Sequence, residues 1–260
     1  QVVASDILLR TTGILGLSRY CPLLSTACTA PPGTLDAGTG TVSLQVGDLA
    51  VPLAGSTITG GVVEIAPALA EPMQVGGVAG TTVAGTLSVN QDALVAIIAD
   101  TLRLGATTAG GTTANGLQVI APLTFAGTLD LRSLADITQT AGAALDIGSL
   151  TGAAEGAIVL TETTNSIGTV GDRSAAGDLS LTVAGTLTLA GLLTAPGQTV
   201  ALTGPLGIVE TGAGRIVSGT LTAQSSGGDI TLGGANQVGT RGASAASGNF
   251  TLADGIALAI

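Results

Sequence analysis

The side chains of this sequence that are able to act as acids or bases are carboxylates standing singly beside turns, at Asp130, Asp136, Asp146, Asp172, Asp178 and Asp229. Glycoside hydrolysis needs two carboxyl groups about 5–9.5 Å apart, which stacked turns of a coil are able to provide but a sequence does not show. His and Lys are both absent, so the chain lacks the commonest general base and any Schiff-base lysine. We therefore expect a protein that is not an enzyme, with a polysaccharide lyase or hydrolase as an alternative.

The two cysteines, Cys21 and Cys28, flank a short loop that contains Pro22. This spacing favours a local disulfide in an oxidising compartment, and the alternative is a pair of reduced, buried thiols. Two cysteines without histidine do not complete a four-ligand zinc site. The Gly-Gly-x-Gly-x-Asp repeat of calcium-loaded β-rolls is also absent. We expect a structural disulfide, no metal and no other cofactor.

The chain is acidic, with a formal net charge of −10 and an isoelectric point of about 4.1. Seven scattered arginines form no basic patch, which excludes nucleic acid and anionic lipid from the expected partners. No apolar run reaches the roughly 18 residues of a membrane helix, and the first residues lack the features of an intact signal peptide. A mean hydropathy of +0.63 argues against intrinsic disorder.

The elements that must position these residues are short strands. Apolar residues alternate with Thr, Ser or other polar residues in many segments, and turn signals rich in glycine separate them. The aromatic residues are Tyr20, Phe125 and Phe250, so the core must be thin and built from Val, Ile, Leu, Ala and Thr. The sequence thus predicts an all-β fold.

Two spacings recur along the chain. Residues 165–181 align without gaps on residues 236–252, which lie 71 positions further on. Apolar strand centres recur at a shorter interval of about 20–22 residues, at Ile147, Ile167, Leu187, Ile208, Ile230 and Phe250. Because 71 is not a multiple of 21 and apolar residues are common, we give the duplication more weight and expect roughly 18–24 residues per turn.

Such repetition, with small inward side chains and glycine corners, indicates a parallel β-solenoid of roughly 11–14 turns. We expect the solenoid repeats to span residues 81–260. Residues 1–80, with the Cys21–Cys28 loop, are expected to form a less regular N-terminal or capping region.

Four local features of the solenoid are open to more than one interpretation. Residues 64–73 are expected to form an irregular loop or insertion. Residues 90–104 favour a pair of strands because β-branched residues cluster there, with a helix as the alternative. Asn165 and Asn236 either stack or cap at a corner of the coil, or occupy ordinary turns.

From about residue 125 onward the chain resembles the passenger repeats of filamentous-haemagglutinin-like proteins. The motifs that carry the resemblance are Asn-Ser-Ile-Gly-Thr-Val (165–170), Gly-Asp-Leu-Ser-Leu (177–181), Ala-Gly-Thr-Leu-Thr-Leu-Ala-Gly (184–191) and Gly-Gly-Asp-Ile-Thr-Leu-Gly-Gly (227–234). The resemblance implies a right-handed parallel β-helix, secreted across the outer membrane of a Gram-negative bacterium and displayed for adhesion. The secretion motif Asn-Pro-Asn-Leu of such proteins is absent here, so their export route is not assigned to these residues.

The expected function is therefore that of a non-enzymatic, extracellular structural or adhesive protein of the bacterial cell surface. The last residues of the sequence, 254–260, have the pattern of an uncapped apolar strand. This pattern predicts either a fragment of a longer chain or end-to-end docking of subunits into a filament. Binding to ice or to a polysaccharide surface is the alternative. Thr57 and Thr59, Thr186 and Thr188, and Thr220 and Thr222 each place two threonines on one strand face, although threonine is also a common outward strand residue.

Overall fold

The computed structural model describes residues 2–16, 33–50, 55–77 and 83–260. Over these residues strands are the main secondary structure and helix is almost absent, and the parallel strands form a β-solenoid of about 10 turns. The predicted all-β solenoid is thereby confirmed. The turns are fewer than the 11–14 expected because some N-terminal turns are long: Ile7 pairs with Val42 and Ile58 with Ile97. Cys21 and Cys28 lie outside the described residues, so their disulfide stays a prediction.

The chain divides into two compact units, Gln1–Leu117 and Gln118–Ile260. Parallel strands occur on both sides of residue 80, the boundary expected from the sequence. The elements of the first unit are β1 (Val2–Val3), β2 (Ile7–Gly16), β3 (Thr34–Asp36), β4 (Thr41–Ala50), β5 (Thr57–Pro67), β6 (Met73–Val75), β7 (Leu87–Val89), α1 (Gln91–Val95) and β8 (Ile97–Leu104), and β9 (Leu117–Val119) crosses the division.

Two local expectations for the first unit are partly wrong. Residues 64–67 belong to β5, where they pair in register with β4, so the irregular loop is shorter than expected. Residues 91–95 form α1, whose first turn is capped by the Asn90 side chain accepting a hydrogen bond from the Ala93 backbone N–H. Of the pair of strands expected across residues 90–104, only β8 is present, beginning at Ile97, and residues 91–95 adopt the helix that was the alternative.

Strands of the second unit stack in order along the chain. They are β10 (Leu123–Ser133), β11 (Ile137–Gln139), β12 (Leu145–Ala154), β13 (Ile158–Leu160), β14 (Ser166–Ala175), β15 (Leu179–Thr182), β16 (Leu187–Leu189), β17 (Leu192–Thr203), β18 (Ile208–Glu210), β19 (Arg215–Ser225), β20 (Ile230–Arg241), β21 (Ala245–Ala246) and β22 (Phe250–Asp254). The pairing of two of the longest strands shifts in register where the chain turns a corner, between Ala195 and Thr199 in β17 and between Leu232 and Asn236 in β20.

Each turn of the second unit contributes strand segments to three faces. In its first turn these segments are residues 123–130 on the first face, 131–133 on the second and 137–139 on the third. Later turns place their segments on the same faces by parallel register. For example, Leu187, Ile208, Ile230 and Phe250 stack on the first face.

The third face shows the most regular stacking. Ile137, Ile158, Leu179, Val200 and Leu221 stack in register and are equally spaced along the chain, and all five side chains are fully buried. Burial of each such aliphatic side chain contributes about 1.5–3 kcal/mol. The shorter spacing noted in the sequence is therefore the length of a turn, and it lies within the 18–24 residues per turn that were expected.

No helix among the described residues is both long and apolar enough to cross a membrane.

We expect the native protein to resist trypsin between about pH 5 and 8, where no histidine titrates. Six of the seven arginines lie within strands: Arg10 in β2, Arg103 in β8, Arg132 in β10, Arg173 in β14, Arg215 in β19 and Arg241 in β20. Cleavage after them requires the strand to leave the sheet. Mass spectrometry of a timed digest, with and without urea, tests this, and rapid native cleavage at any of the six contradicts it. Arg19 lies outside the described residues, so the prediction does not cover it.

Candidate functional site

Most of the carboxylates that the sequence marks as candidate acids bind the backbone of the following turn. In four of them the Oδ1 atom accepts a hydrogen bond from a backbone N–H that lies 20 or 21 positions ahead. The pairs are Asp136 with Ala157 at 2.8 Å, Asp172 with Leu192 at 2.8 Å, Asp178 with Thr199 at 2.9 Å and Asp229 with Asn249 at 2.7 Å. Each bond connects neighbouring turns where the chain turns a corner, which is a structural use of the carboxylate.

The two remaining candidates differ from these four. Asp130 is nearly buried and receives a bidentate contact from Arg132, with Nε to Oδ1 at 2.7 Å and Nη2 to Oδ2 at 3.3 Å. Asp146 is exposed and sits in register between Thr124 and Ser166. Five of the six carboxylates thus each bind a separate partner within the protein, and the sixth, Asp146, is exposed.

A shallow groove runs along the corner between the first and second faces. Its larger part has a volume of about 420 Å³ and is lined by Asp172, Leu192, Gly212, Ala213, Gly214, Arg215, Gly234 and Ala235. A second part of about 200 Å³ shares Asp172 and Leu192 with it and adds Arg132, Gly152, Arg173, Ser174 and Thr194. Small residues shape most of the wall, and Arg215 places an exposed cation in the larger part.

Arg173 is the largest fully buried side chain of the described residues. In register it lies between Gly152 and Leu193, and its Nη1 donates to the Thr151 carbonyl at 3.0 Å. Its Nε and Nη2 atoms have no hydrogen-bond partner. Burial lowers the pKa of this guanidinium to about 10, although the charge of Asp130 opposes the shift. Arg173 therefore remains charged at neutral pH, at a cost to stability.

Asn165 and Asn236 are corner residues that bind the turns on both sides of them, and both are fully buried. The Asn165 Oδ1 accepts from the Leu145 N–H at 2.8 Å, and its Nδ2 donates to the Thr182 carbonyl at 3.0 Å. The Asn236 Oδ1 accepts from the Ile216 N–H at 2.7 Å, and its Nδ2 donates to the Ala253 carbonyl at 3.0 Å. The corner role is thereby confirmed, and the ordinary-turn interpretation is wrong.

The two asparagines occupy different corners, which explains the spacing between the duplicated segments. Asn165 follows β13 on the third face and precedes the first-face end of β14. Asn236 follows the first-face residues 230–232 and precedes Gln237, which pairs with the second face. The duplication therefore spans three turns and a further third of a turn. What is repeated is a corner with its flanking strands, so the expectation of a whole number of turns was wrong.

Each corner asparagine has a polar partner 26 positions earlier in the chain, Gln139 for Asn165 and Glu210 for Asn236. The Gln139 Nε2 donates to the Ala143 carbonyl at 2.6 Å and to the Asn165 Oδ1 at 2.7 Å. Its Oε1 accepts from the Asn165 Nδ2 at 3.2 Å and from the Glu162 N–H at 3.1 Å. The Gln139 amide therefore uses both its NH₂ group and its carbonyl oxygen in hydrogen bonds at this corner.

Glu210 reproduces only the acceptor half of this arrangement. Its Oε2 accepts from the Gly234 N–H at 2.7 Å and from the Asn236 Nδ2 at 3.1 Å, whereas its buried Oε1 has no partner. Burial raises the pKa of this carboxyl, although the two hydrogen bonds act in the opposite direction. A protonated Glu210 has one O–H donor, where the Gln139 amide has two N–H donors, and keeps an acceptor oxygen. Neither residue was predicted from the sequence, because the role of each depends on the corner asparagine that it contacts in the fold.

A buried ion pair in the first unit also escaped the sequence analysis. Glu64 is fully buried, and its Oε1 lies 2.5 Å from the Arg103 Nη1. Its Oε2 accepts from the Ser43 hydroxyl at 2.8 Å and from the Thr108 N–H at 2.8 Å. Since Thr108 lies in the segment that follows β8, Glu64 fixes that segment against the sheet. This role was not predicted, because residues 64–73 were expected to form an irregular loop rather than to include the end of β5.

Uncharged small residues occupy the outward positions of the third face over four turns. Thr199, Thr220 and Thr240 form one column, and Thr182 pairs with Thr203 in another. We call this surface the hydroxyl grid, and define it by Ser180, Thr182, Thr199, Ala201, Thr203, Thr220, Thr222, Gln224 and Thr240.

The hydroxyl grid includes only one of the three threonine pairs noted in the sequence. Thr220 and Thr222 belong to it, whereas Thr57 and Thr59 lie in the first unit and Thr188 stacks with Val209 on the first face. Thr199 and Thr203 were missed because they are separated by Val-Ala-Leu rather than by a single apolar residue. Only the register between turns shows that they extend the same surface.

Comparison with known proteins does not assign the chain to a group. It matches no known protein family, and no curated protein sequence and no solved structure is significantly similar to it. Among the described residues no three side chains of the His, Cys, Asp or Glu type are grouped closely enough to hold a metal ion.

Replacing either corner asparagine with alanine should strongly destabilise the solenoid. Asn165→Ala and Asn236→Ala each leave a buried backbone N–H and a buried carbonyl without a partner, at about 1–3 kcal/mol for each group. Urea denaturation measures the loss in free energy of unfolding. Asn249→Ala is the matched control, because Asn249 is an exposed corner residue and such substitutions change stability by about 0.5 kcal/mol or less. Equal losses in all three variants contradict the corner role.

The substitutions Glu210→Gln and Gln139→Glu should change the stability of the protein in opposite directions. Because the pKa of Glu210 is raised by folding, its contribution is complete below the unfolded pKa of about 4.3 and is lost as pH rises through the folded pKa. Glu210→Gln should therefore stabilise the protein at pH 7 and flatten this dependence. Gln139→Glu should destabilise it at pH 7 by about 1–3 kcal/mol, and less at pH 4. Thermal melting from pH 3.5 to 8 tests the exchange, and a destabilised Glu210→Gln at pH 7 contradicts it.

Proposed function

We propose that this protein is a non-enzymatic structural or adhesive protein of the extracellular surface. The observation that carries the proposal is the use of the carboxylates. Asp136, Asp172, Asp178 and Asp229 accept backbone hydrogen bonds from the next turn, so the groups best suited to acid–base chemistry serve to hold the solenoid together. The outward faces are then free to act as a contact surface.

The repeat pattern supports an extracellular passenger of the filamentous-haemagglutinin-like type. The motifs at 165–170, 177–181 and 227–234, which suggested the resemblance, all lie at corners followed by solenoid strands. A parallel β-solenoid is the fold that the resemblance implies. Localisation at a bacterial cell surface, and adhesion as the role of that surface, are part of this proposal.

The alternative function is catalysis on a polysaccharide, with the groove as the substrate site. Asp172 lines the groove, and Glu210, an acid of raised pKa, is bonded to the groove residue Gly234. In the proposed structural role each of these carboxylates only accepts hydrogen bonds. The side-chain amide of Asn or Gln has an oxygen that accepts them equally. A catalytic role instead requires the carboxyl proton itself.

The decisive experiment compares Asp172→Asn and Asp178→Asn with the corresponding alanine variants. Under the proposal, the asparagine variants keep adhesion and keep most of the stability, because the amide oxygen still accepts the Leu192 or Thr199 N–H. The alanine variants lose about 1 kcal/mol of stability and keep adhesion when folded. Adhesion is measured as the retention under flow of bacteria that display the chain, against bacteria that display an unrelated β-solenoid.

A parallel assay follows the release of reducing ends from neutral and uronate polysaccharides. Polysaccharide turnover that is lost in Asp172→Asn or Glu210→Gln, while stability is kept, contradicts the proposal in favour of an enzyme. Failure of the displayed chain to increase retention on glass, polysaccharide films or cultured cells contradicts the adhesive role. End-to-end self-association stays a prediction from the sequence, and negative-stain microscopy at rising protein concentration tests it separately.

A further inference from the structure

Three of the seven arginines of this acidic chain line the groove at the corner between the first and second faces. Arg132 and Arg173 lie in its second part, and Arg215 lies in its larger part. The register from β10 to β19 places Arg132 and Arg215 four turns apart, which is about 19 Å at about 4.8 Å per turn. Arg173 belongs to the turn midway between them. Cations therefore recur along the whole groove.

The carboxylates at this groove are already bonded within the protein. Asp172 is the one carboxylate of the described lining, and its Oδ1 accepts a backbone N–H of the next turn at 2.8 Å. Asp130 and Glu210 lie behind the lining, where Asp130 is bonded to Arg132 and Glu210 to a backbone N–H. Burial raises the pKa of Glu210, which favours its uncharged form. The lining thus has three cations to one carboxylate, on a chain whose net charge is −10.

Two of the three arginines lack partners for part or all of the guanidinium group. The Arg215 side chain is exposed and forms no hydrogen bond or ion pair with another described residue. Arg173 donates from Nη1 to the Thr151 carbonyl, but its Nε and Nη2 have no partner. Those two nitrogens form one edge of the guanidinium, the same edge by which Arg132 holds both oxygens of Asp130. This edge matches the two oxygens of a carboxylate.

The carboxylate of Asp130 serves as the counter-ion of two cations. It is bonded to Arg132, and its charge also acts on Arg173 against the effect of burial. One carboxylate does not balance two guanidinium groups, and a buried charge that is not balanced is costly. A second carboxylate that enters from the groove balances the cluster. It reaches Arg132 first, because 40% of the Arg132 side chain is exposed.

The shape of the groove indicates an extended ligand rather than a compact one. Sites for small molecules are enclosed and bury most of the ligand, whereas this groove is shallow and continues over several turns. Peptides bind by adding a strand to a free sheet edge or by filling apolar pockets. The groove strands are paired on both sides, and most of the wall of the larger part is Gly and Ala. A polysaccharide fits such a groove better than a peptide.

The composition of the lining indicates that such a polysaccharide has to be acidic. Aromatic side chains, which offer flat faces to sugar rings, are absent from the described lining. A sugar chain is therefore held here by charge and by hydrogen bonds. Among sugars, uronates have the carboxylate that matches a guanidinium edge.

We propose that the groove binds an acidic polysaccharide, whose uronate carboxylates pair with Arg215 and with Arg132. The carboxylate at Arg132 allows Asp130 to turn to the Nε and Nη2 edge of Arg173, so that each cation has its own counter-ion. This inference deepens the proposed adhesive function, and it rests on that function for the claim that the polysaccharide is held and not cleaved.

The test measures the binding of polygalacturonate to the purified protein by isothermal titration calorimetry. We expect the wild type to bind this polymer, and to bind its fully methyl-esterified form, which is uncharged, at least about tenfold more weakly. The galacturonate monomer should also bind at least about tenfold more weakly than the polymer, because it reaches only one of the two arginines. Equal affinity for the polymer and its ester overturns the proposal, and so does equal affinity for the polymer and the monomer.

Three variants assign the binding to the groove. Arg215→Gln should lower the affinity at least about tenfold without changing the melting temperature, because Arg215 is exposed. Arg241→Gln is the matched control, since it removes the same charge from a residue that stacks on Phe250 outside the groove, and it should leave the affinity unchanged. Equal affinities of these two variants overturn the proposal.

The third variant, Arg173→Met, separates binding from a structural role. It replaces a buried charge with an apolar side chain of adaptable shape. We expect the melting temperature of the free protein to rise and the affinity for polygalacturonate to fall. A lower melting temperature with unchanged affinity overturns the role of Arg173. Should this variant not fold, the comparison of Arg215→Gln with Arg241→Gln still tests the groove.

The outcomes also separate this inference from the function proposed above. A wild type that does not bind polygalacturonate overturns the inference alone, because retention of displaying bacteria under flow is measured independently. New reducing ends in polygalacturonate after incubation with the wild type overturn both, since the polymer is then cleaved and not merely held.

Discussion

The fold depends on satisfying the backbone polar groups where each turn of the solenoid rounds a corner. Within a face, parallel strands pair their own N–H and carbonyl groups, but register shifts at corners interrupt the ladder. A buried N–H without a partner is costly. The chain meets this need with short polar side chains from adjacent turns. Aspartates accept N–H groups of the following turn, and the buried Asn165 and Asn236 bind one turn behind and one turn ahead.

This constraint explains why buried polar residues are tolerated in a thin aliphatic core. Gln139 completes its corner with donors and an acceptor, whereas Glu210 at the related corner leaves one oxygen without a partner. Arg173 leaves two nitrogens unpartnered among buried neighbours. Glu64, in contrast, is fully satisfied by Arg103, Ser43 and Thr108. Stability is therefore distributed unevenly, and single polar residues at corners should influence it as strongly as single residues of the core.

Acidic residues bind the backbone at the corners, and aliphatic residues fill the core. The outward positions of the faces have neither task, so their residue types are less constrained. On the third face this freedom produces a uniform lattice, since turns of constant length bring equivalent positions together from one turn to the next. On the first and second faces the spacing changes and the 211–214 turn extends, and the surface there is a groove rather than a plane. Small differences in turn length thus decide on which face equivalent positions stay in register from one turn to the next.

By itself the sequence determined the fold class. Alternating apolar residues, scarce aromatics and a regular recurrence of strand centres predict a thin parallel β-solenoid, because these features depend on local strand periodicity and on the volume available inside a turn. It did not determine α1, the extension of β5 through Pro67, or the third-of-a-turn offset between Asn165 and Asn236. The sequence also did not determine which backbone group each aspartate binds. Nor did it show that Thr199 and Thr203 lie on the same face as Thr220 and Thr222. Only the tertiary structure decided these, because contacts between residues about one turn apart depend on the length of every intervening corner, and one added residue changes which side chains meet.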